Sequence, residues 1–221
     1  MARMARLVVP GHPHHVTQRG VRGMEVFACP DDYRAYLDLL TESCGKAGTQ
    51  VWAYCLMSNH IHLILVPSTE DGLRAALGEA HRQYTRLINL RDNCRGHLWQ
   101  ERFHSFVMDE GHALACARYV ELNPVAANIV EKPEDYTWSS AKAHVAGADD
   151  MLVRVEPLLS RMPDWAGFLE SGVEEAERNR LHQHSGTGRP LGAEDWIGEL
   201  EEQTGRRLKA RLPGRPKKAE T

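Results

Sequence analysis

The feature that most constrains the fold of this chain is a pair of β-prone segments separated by only two residues. Residues 51–57 and residues 60–66 are rich in aromatic and branched side chains, and Ser58 and Asn59 stand between them. Such a short connection is typical of a hairpin of two antiparallel strands. We therefore predict a hairpin over residues 51–66, with its second strand ending at Pro67.

The segments around this hairpin predict the rest of the core. Residues 15–19 form a short β-prone run closed by a glycine, residues 24–27 are a candidate partner ribbon, and residues 103–108 read as a last strand. A helix is predicted to begin at Pro30, and another spans about residues 71–89, each with apolar side chains at helical spacing. The order strand, helix, strand, strand, helix, strand is that of an α+β ferredoxin-like split βαβ sandwich. Helical additions are expected after it.

The 221 residues allow one good-sized domain with an appendage. We predict a domain over residues 1–142, an acidic helical linker over 143–187, and a basic C-terminal DNA-binding extension over 188–221. Residues 203–218 carry seven basic side chains and no acid. Such a charge asymmetry indicates a polyanionic partner, although a solvated basic tail is equally compatible with it.

Composition excludes several classes of protein. Hydrophobic residues make up 42% of the chain, but no run approaches the roughly 18 apolar residues of a membrane span. The five cysteines are scattered without a C-x-x-C pair, which argues against both a disulfide framework and a thiolate zinc site. The expected location is the reducing cytoplasm.

Two histidines in the second hairpin strand are the first candidates for chemistry. Side chains alternate along a strand, so His60 and His62 point to the same face and could share one divalent ion. Packing of one ring with solvation of the other is the alternative. A metallo-β-lactamase would continue His-x-His-x-Asp-His, which is absent here, and an amidohydrolase barrel needs about 250 residues of alternating strands and helices. Nucleotidyl transfer, with a side chain attacking phosphorus, fits better.

A nucleophile candidate is Tyr84, on the helix that follows the histidine strand. A tyrosine hydroxyl has an ordinary pKa near ~10 and needs a cation or base beside it to attack readily. Tyr84 also lies on the apolar stripe of its own helix, so periodicity alone favours core packing for this side chain. Because that stripe faces the sheet, we expect Tyr84 to lie close to His60 and His62.

Several stretches, in this order, resemble those of one family. They are PG at residues 10–11 with HVTQRG at 15–20, MSNHIHL at 57–63, GHLWQERF at 96–103, RYVELNPV at 118–125 and DYTWSS at 135–140. Residues 57–63 look like the HUH motif of single-tyrosine transposases. Together the stretches, over about residues 5–142, resemble the REP-associated tyrosine transposases, relatives of the IS200-like transposases.

The resemblance implies a ferredoxin-like HUH fold and a divalent ion, Mg²⁺ or Mn²⁺, held by His60 and His62. It implies that Tyr84 attacks a phosphodiester of single-stranded or hairpin DNA and forms a 5′-phosphotyrosine link with a free 3′-OH. Relatives take a third metal ligand about one helical turn after the tyrosine. Ile88 stands there and cannot ligate a metal, so Asn89 and His81 are the candidates.

The resulting hypothesis is a metal-dependent transposase and endonuclease that nicks and rejoins single-stranded or REP-like hairpin DNA. The alternative is a non-catalytic DNA-binding or regulatory protein that keeps the fold. Both a monomer and a homodimer remain open. The candidate DNA-binding residues are basic side chains of the second helix, the following loop and the tail: Arg82, Arg86, Arg102, Arg206, Arg207, Arg215 and Lys217.

Overall fold

The predicted hairpin lies at one side of a four-stranded sheet in the computed structural model, which describes residues 5–209. The strand order is β2-β3-β1-β4, and each strand is antiparallel to its neighbours. The strands are β1 (His14–Arg19), β2 (Thr49–Met57), β3 (His60–Pro67) and β4 (His104–Val107). This order confirms the predicted split βαβ arrangement.

The helices divide between the two faces of the sheet. Their bounds are α1 (Pro30–Lys46), α2 (Gly72–Arg91), α3 (Glu110–Glu121), α4 (Asn123–Ala126), α5 (Ala141–Ala146), α6 (Glu156–Leu159), α7 (Trp165–Glu170), α8 (Glu175–Thr187) and α9 (Glu194–Thr204). The crossover helices α1 and α2 pack on each other and on one face. Helix α3 packs on the opposite face, where α8 also contacts β4.

One predicted element is wrong. Residues 24–27 follow a 3₁₀ turn, Val21–Gly23, and do not form a ribbon strand. The backbone N–H groups of Val26 and Phe27 both donate to the carbonyl oxygen of Ser58, at 2.7 and 3.0 Å. These residues therefore close over the tip of the β2–β3 hairpin instead of pairing as a strand.

The alternation of side chains along β3 builds a separate core on each face. Ile61, Leu63 and Leu65 are fully buried against the α1–α2 side, together with Leu77 of α2. Ile64, between them, is buried on the other side with residues of α3, α7 and α8. A period of two along the strand thus makes β3 apolar on both faces near its C-terminal end and polar on one face near its start.

Local sequence explains where α1 begins and how α2 is tied to it. Pro30 occupies the first helical position, where its missing N–H costs nothing. Asp32 accepts hydrogen bonds from the backbone N–H groups of Ala28 and Cys29, at 2.8 and 3.3 Å. The same carboxylate forms an ion pair with Arg91 at the end of α2. One buried aspartate therefore caps the first helix and fixes the second against it.

The chain beyond residue 142 packs on the same sheet. Val153 pairs with Val51 and Leu191 with Met108 in isolated bridges at the two edges of the sheet. Trp165 of α7 is 1% exposed and belongs to the core of the α3 face. The three-part division of the chain stays a prediction, although part of residues 143–187 completes this core. No helix within residues 5–209 is long and apolar enough to cross a membrane.

The buried His14 and the half-buried His81 predict a loss of stability in mild acid. Burial lowers the pKa of His14 to about 4 and that of His81 to about 3. As pH falls below the ordinary value of about 6.5, the unfolded chain binds protons that the folded chain excludes, so the free energy of unfolding falls. Each group contributes about 1.4 kcal/mol per pH unit to that fall, until its folded pKa is reached.

We expect His81→Gln to flatten this fall by about 1.4 kcal/mol per unit between pH 6 and 4. Glutamine can keep the hydrogen bond that joins His81 Nε2 to the Tyr36 hydroxyl at 2.9 Å. Urea titrations at a series of pH values measure the slope, with the exposed His97→Gln as matched control for loss of an imidazole. An unchanged slope in His81→Gln would contradict the prediction.

Candidate active site

A cleft of about 630 Å³ opens on the sheet face that α1 and α2 leave uncovered. His60 and His62 lie on its floor, where they are in register with Arg19 and Thr17 of β1. One wall comes from the junction of α3 and α4 and the other from α8. The period of two along β3 places both imidazoles on this floor, as the sequence predicts.

Each of the two imidazoles has one ring nitrogen engaged. His62 Nδ1 lies 3.1 Å from His15 Nε2, and His60 Nδ1 donates to the Asn59 side-chain oxygen at 2.6 Å. The two ring centroids are 5.0 Å apart. Burial lowers the pKa of His60 to about 4 and that of His62 well below its ordinary value. Both rings are therefore neutral at pH 7, the state in which a histidine nitrogen binds a metal.

A tyrosine absent from the predicted site faces these histidines. Tyr119 of α3 presents its ring edge-on to His62, with centroids 5.6 Å apart and planes at 87°. Asn123 follows one helical turn later, lines the same cleft, and donates from its amide to the Tyr119 carbonyl at 3.0 Å. Burial raises the pKa of the Tyr119 hydroxyl above its ordinary value, and the Asn123 side chain offsets part of this rise.

Tyr84 lies elsewhere, so the expected juxtaposition with the histidines is wrong. Its side chain is fully buried on the α1–α2 face, against Phe27 and Tyr36. Its hydroxyl donates to the carbonyl oxygen of Val26 at 2.6 Å. Burial raises the pKa of this hydroxyl well above its ordinary value. The stripe of α2 does face the sheet, but it faces the side opposite to the histidines.

The candidate third ligands are on that same opposite side. His81 Nε2 hydrogen-bonds the Tyr36 hydroxyl, and Asn89 donates its amide to the Gly96 carbonyl at 3.1 Å. Neither side chain lies near His60 and His62, because α2 packs on the opposite face of the sheet. Within residues 5–209, no three His, Cys, Asp or Glu side chains are grouped so that they could hold a metal ion.

The cleft nevertheless fits a divalent ion with open coordination positions. Two neutral imidazoles supply nitrogen ligands, each oriented by a hydrogen bond at its other nitrogen. Asn123 lines the same cleft, and because its amide nitrogen donates to the Tyr119 carbonyl, its amide oxygen would be left as a neutral oxygen donor. Mg²⁺ and Mn²⁺ accept such oxygen donors and keep further positions for water or a phosphate.

The predicted DNA-binding residues occupy other surfaces. Arg82, Arg86 and Arg102 are exposed and line a pair of adjoining grooves along α2, on the opposite face from the cleft. Arg206 instead holds the N-terminal segment, donating to the carbonyls of Arg6 and Ala5 at 3.1 and 2.6 Å. Arg207 is exposed after α9. Arg215 and Lys217 lie outside the described residues.

Two pairs of cleft residues were not predicted from the sequence, for different reasons. Tyr119 and Asn123 stand inside the RYVELNPV stretch that carried the family resemblance, so the signal was present in their spacing of four. Arg178 and His182 of α8 had no such signal, because α8 has no clear apolar stripe. Only the folded chain brings these two residues to the cleft.

The environments of the two tyrosines predict that loss of the hydroxyl destabilises the protein at Tyr84 but hardly at Tyr119. Tyr84→Phe deletes a buried hydroxyl that satisfies a backbone carbonyl, which should lower the free energy of unfolding by about 1–2 kcal/mol. Tyr119→Phe in the cleft should change it by less than about 0.5 kcal/mol. Urea unfolding of the two variants measures the difference. Equal destabilisation by both would contradict this placement of the hydroxyls.

The central part of the chain is similar to known proteins. Residues 15–123 match the family described as Transposase IS200 like. A REP-associated tyrosine transposase, solved bound to a REP hairpin, is similar over 70% of this chain and 92% of its own, with 18% identity and a TM-score of 0.58. A transposase structure from Deinococcus radiodurans R1 aligns over 54% of this chain and 96% of its own, with 18% identity and a TM-score of 0.39.

No curated protein matches the sequence significantly. The family match extends from the strand carrying His15, through the two histidines of β3, to Asn123 at the end of the α3 wall. The structural likeness supports the same fold, an antiparallel sheet flanked by helices. Residues 15–123 of this chain therefore match the family of IS200-like transposases.

Proposed function

We propose that this chain nicks and rejoins single-stranded or hairpin DNA through a covalent 5′-phosphotyrosine on Tyr119. The observation that carries the proposal is the edge-on placement of Tyr119 against His62, in the one cleft that also holds His60. Tyr84, buried behind the sheet, cannot reach a substrate without unfolding its core. His60, His62 and Tyr119 all line this one cleft.

The chemistry is an exchange of phosphodiester bonds. The Tyr119 oxygen attacks phosphorus and forms a P–O bond, while the bond between phosphorus and the 3′ oxygen of the preceding nucleotide breaks. The tyrosine proton is lost, and the departing 3′ oxygen gains a proton to become a 3′-OH. Because the tyrosine ester conserves the bond, a 3′-OH can later attack it and restore a phosphodiester without ATP.

Tyr119 needs help to react, because burial raises the pKa of its hydroxyl. His60 and His62, with Asn123 as the third ligand, would hold Mg²⁺ or Mn²⁺ beside it. When bound, such an ion supplies positive charge that stabilises the phosphate oxygens in the transition state. His15 orients His62 through the contact at 3.1 Å, which leaves Nε2 of His62 for the metal.

The proposed partner is DNA with an unpaired strand at the cleft. The similar REP-associated transposase was solved with a REP hairpin, which supports a hairpin as the substrate class here. Arg86 and Arg102 are exposed along the α2 grooves on the face opposite to the cleft, so we propose that they hold the phosphate backbone only where the DNA extends beyond the cleft. Arg82 is partly neutralised by its ion pair with Glu79 at 2.7 Å, and is expected to contribute less. The basic tail, with Arg207, Arg215 and Lys217, adds sequence-independent contacts.

A covalent-adduct assay tests the nucleophile. We expect the protein to form an adduct, resistant to denaturing electrophoresis, with a labelled hairpin from palindromes flanking its gene in the presence of Mn²⁺. Tyr119→Phe should abolish the adduct because it removes the attacking oxygen. Tyr84→Phe is the matched control and should retain it, since that hydroxyl is bonded to Val26 on the other side of the sheet.

The outcomes of that assay separate the alternatives. An adduct lost in Tyr84→Phe and kept in Tyr119→Phe would overturn the assignment. Binding of the hairpin by the wild-type protein without any adduct would favour the alternative of a non-catalytic DNA-binding protein.

A binding measurement tests the role of His15 independently of turnover. His15→Phe keeps a ring in the buried position but removes the nitrogen that contacts His62. Loss of such an orienting contact typically lowers metal affinity by about 10–100-fold. Titration with Mn²⁺, followed by electron paramagnetic resonance of the free ion, measures this change. His112→Asn, a histidine outside the cleft, is the control, and equal Mn²⁺ affinity in wild type and His15→Phe would refute the role.

A further inference from the structure

We propose that α8 forms part of the substrate-binding site, with Arg178 and His182 contacting the phosphate backbone of a single DNA strand held over Tyr119. The inference rests on the proposed function for the identity of the substrate. It assigns this role to a helix that lies beyond residues 15–123, the segment matched by the family.

One face of α8 is turned to the cleft. Arg178, Leu181, His182 and Ser185 all line it, and their spacings of three, four and seven residues place them on a single stripe of the helix. Leu181 is 2% exposed and packs into the core of the α3 face. The apolar member of the stripe thus anchors the helix, and the polar members face the cleft.

The helix is held in this place by contacts at both of its ends. Near its start, Glu177 forms an ion pair with Arg118 of α3 at 2.8 Å, and the Arg118 guanidinium lies 4.5 Å above the ring of Phe168. Near its end, His184 hydrogen-bonds the carbonyl of Arg189 at 3.0 Å. Since α3 also carries Tyr119, the Arg118–Glu177 pair fixes the stripe of α8 relative to the tyrosine.

The charge distribution of the cleft suits a phosphodiester. Arg178 is exposed on one wall and forms no ion pair or hydrogen bond with the other side chains described between residues 5 and 209. Arg19 lies on the floor beside His60. Among the described lining residues, Glu101 supplies the single carboxylate against these two guanidinium groups. A guanidinium binds phosphate oxygens through two parallel N–H donors, so Arg178 can hold the backbone without reading the base.

His182 lies beside the ring of Tyr119, which carries the hydroxyl proposed to react. Its imidazole is edge-on to Tyr119, with centroids 5.9 Å apart and planes at 81°. The side chain is exposed, so it can form a hydrogen bond with a phosphate oxygen placed above Tyr119. A strand that enters between α3 and α8 to reach Tyr119 therefore passes both Arg178 and His182.

The test is a binding experiment in the full chain carrying Tyr119→Phe, which separates binding from chemistry. Fluorescence anisotropy of labelled oligo-dT is measured between 50 and 200 mM NaCl for Arg178→Ala, Arg178→Lys and His182→Ala. Arg180→Ala is the matched control, because Arg180 is on the same helix but faces a different cavity. Thermal melts check that each exposed substitution leaves the fold intact.

We expect Arg178→Ala to weaken binding about tenfold. It should also reduce the slope of log affinity against log salt by about 0.7, the loss of one phosphate contact on a single strand. Arg178→Lys should keep the slope, His182→Ala should weaken binding, and Arg180→Ala should stay within about twofold of the parent. Equal affinity and slope for Arg178→Ala and Arg180→Ala would overturn the inference.

The adduct assay keeps the two proposals distinguishable. If the wild-type protein forms no adduct but Arg178→Ala still loses one phosphate contact, the chemistry fails and the α8 contact stands. If the adduct forms and Arg178→Ala behaves as Arg180→Ala in both assays, the chemistry stands and the α8 contact fails.

Discussion

The alternation of side chains along β3 determines how the rest of this molecule is used. Ile61, Leu63 and Leu65 face one way and bury against α1 and α2, so the odd-numbered face is filled by the crossover helices. His60 and His62 face the other way, and no element of the split βαβ core covers them. The helices that wall the cleft above the two histidines, α3, α4 and α8, therefore all come from the chain after β4.

A buried carboxylate on α3 holds that later chain in place. Glu121 is fully buried and accepts hydrogen bonds from Ser140 at 2.5 Å, His144 at 2.6 Å and the Trp165 indole at 2.7 Å. An unpaired carboxylate at this depth would cost several kcal/mol, so the three donors bind α5, α7 and the preceding turn firmly to α3. Tyr119 lies two residues before Glu121 and points the opposite way, into the cleft. The network therefore supports the α3 wall of the cleft from behind.

The same physical rules show what the sequence could and could not predict. The hairpin, the helix starting at Pro30 and the strand order followed from local patterns, since turn residues and periodicity are local properties. The sequence also contained enough information to predict which face of the sheet Tyr84 packs against. Its stripe had to bury against an apolar surface, and the apolar surface of β3 is the one formed by Ile61 and Leu63, opposite to the histidines. The alternation along β3 therefore already puts Tyr84 and the two histidines on opposite faces of the sheet.

Helix α8 illustrates the part that a sequence alone does not disclose. A helix that contributes one apolar anchor and a polar stripe to a cleft has almost no hydrophobic periodicity, because most of its surface faces water or the open cleft. Its position depends on long-range contacts, such as the ion pair of Glu177 with Arg118, across 59 residues. The opposing guanidinium groups of Arg19 and Arg178 arise in the same way, one from the first strand and one from the eighth helix. Both side chains line the cleft although 159 positions (178 minus 19) separate them in the sequence, so this part of the cleft exists only once α8 has packed on the sheet.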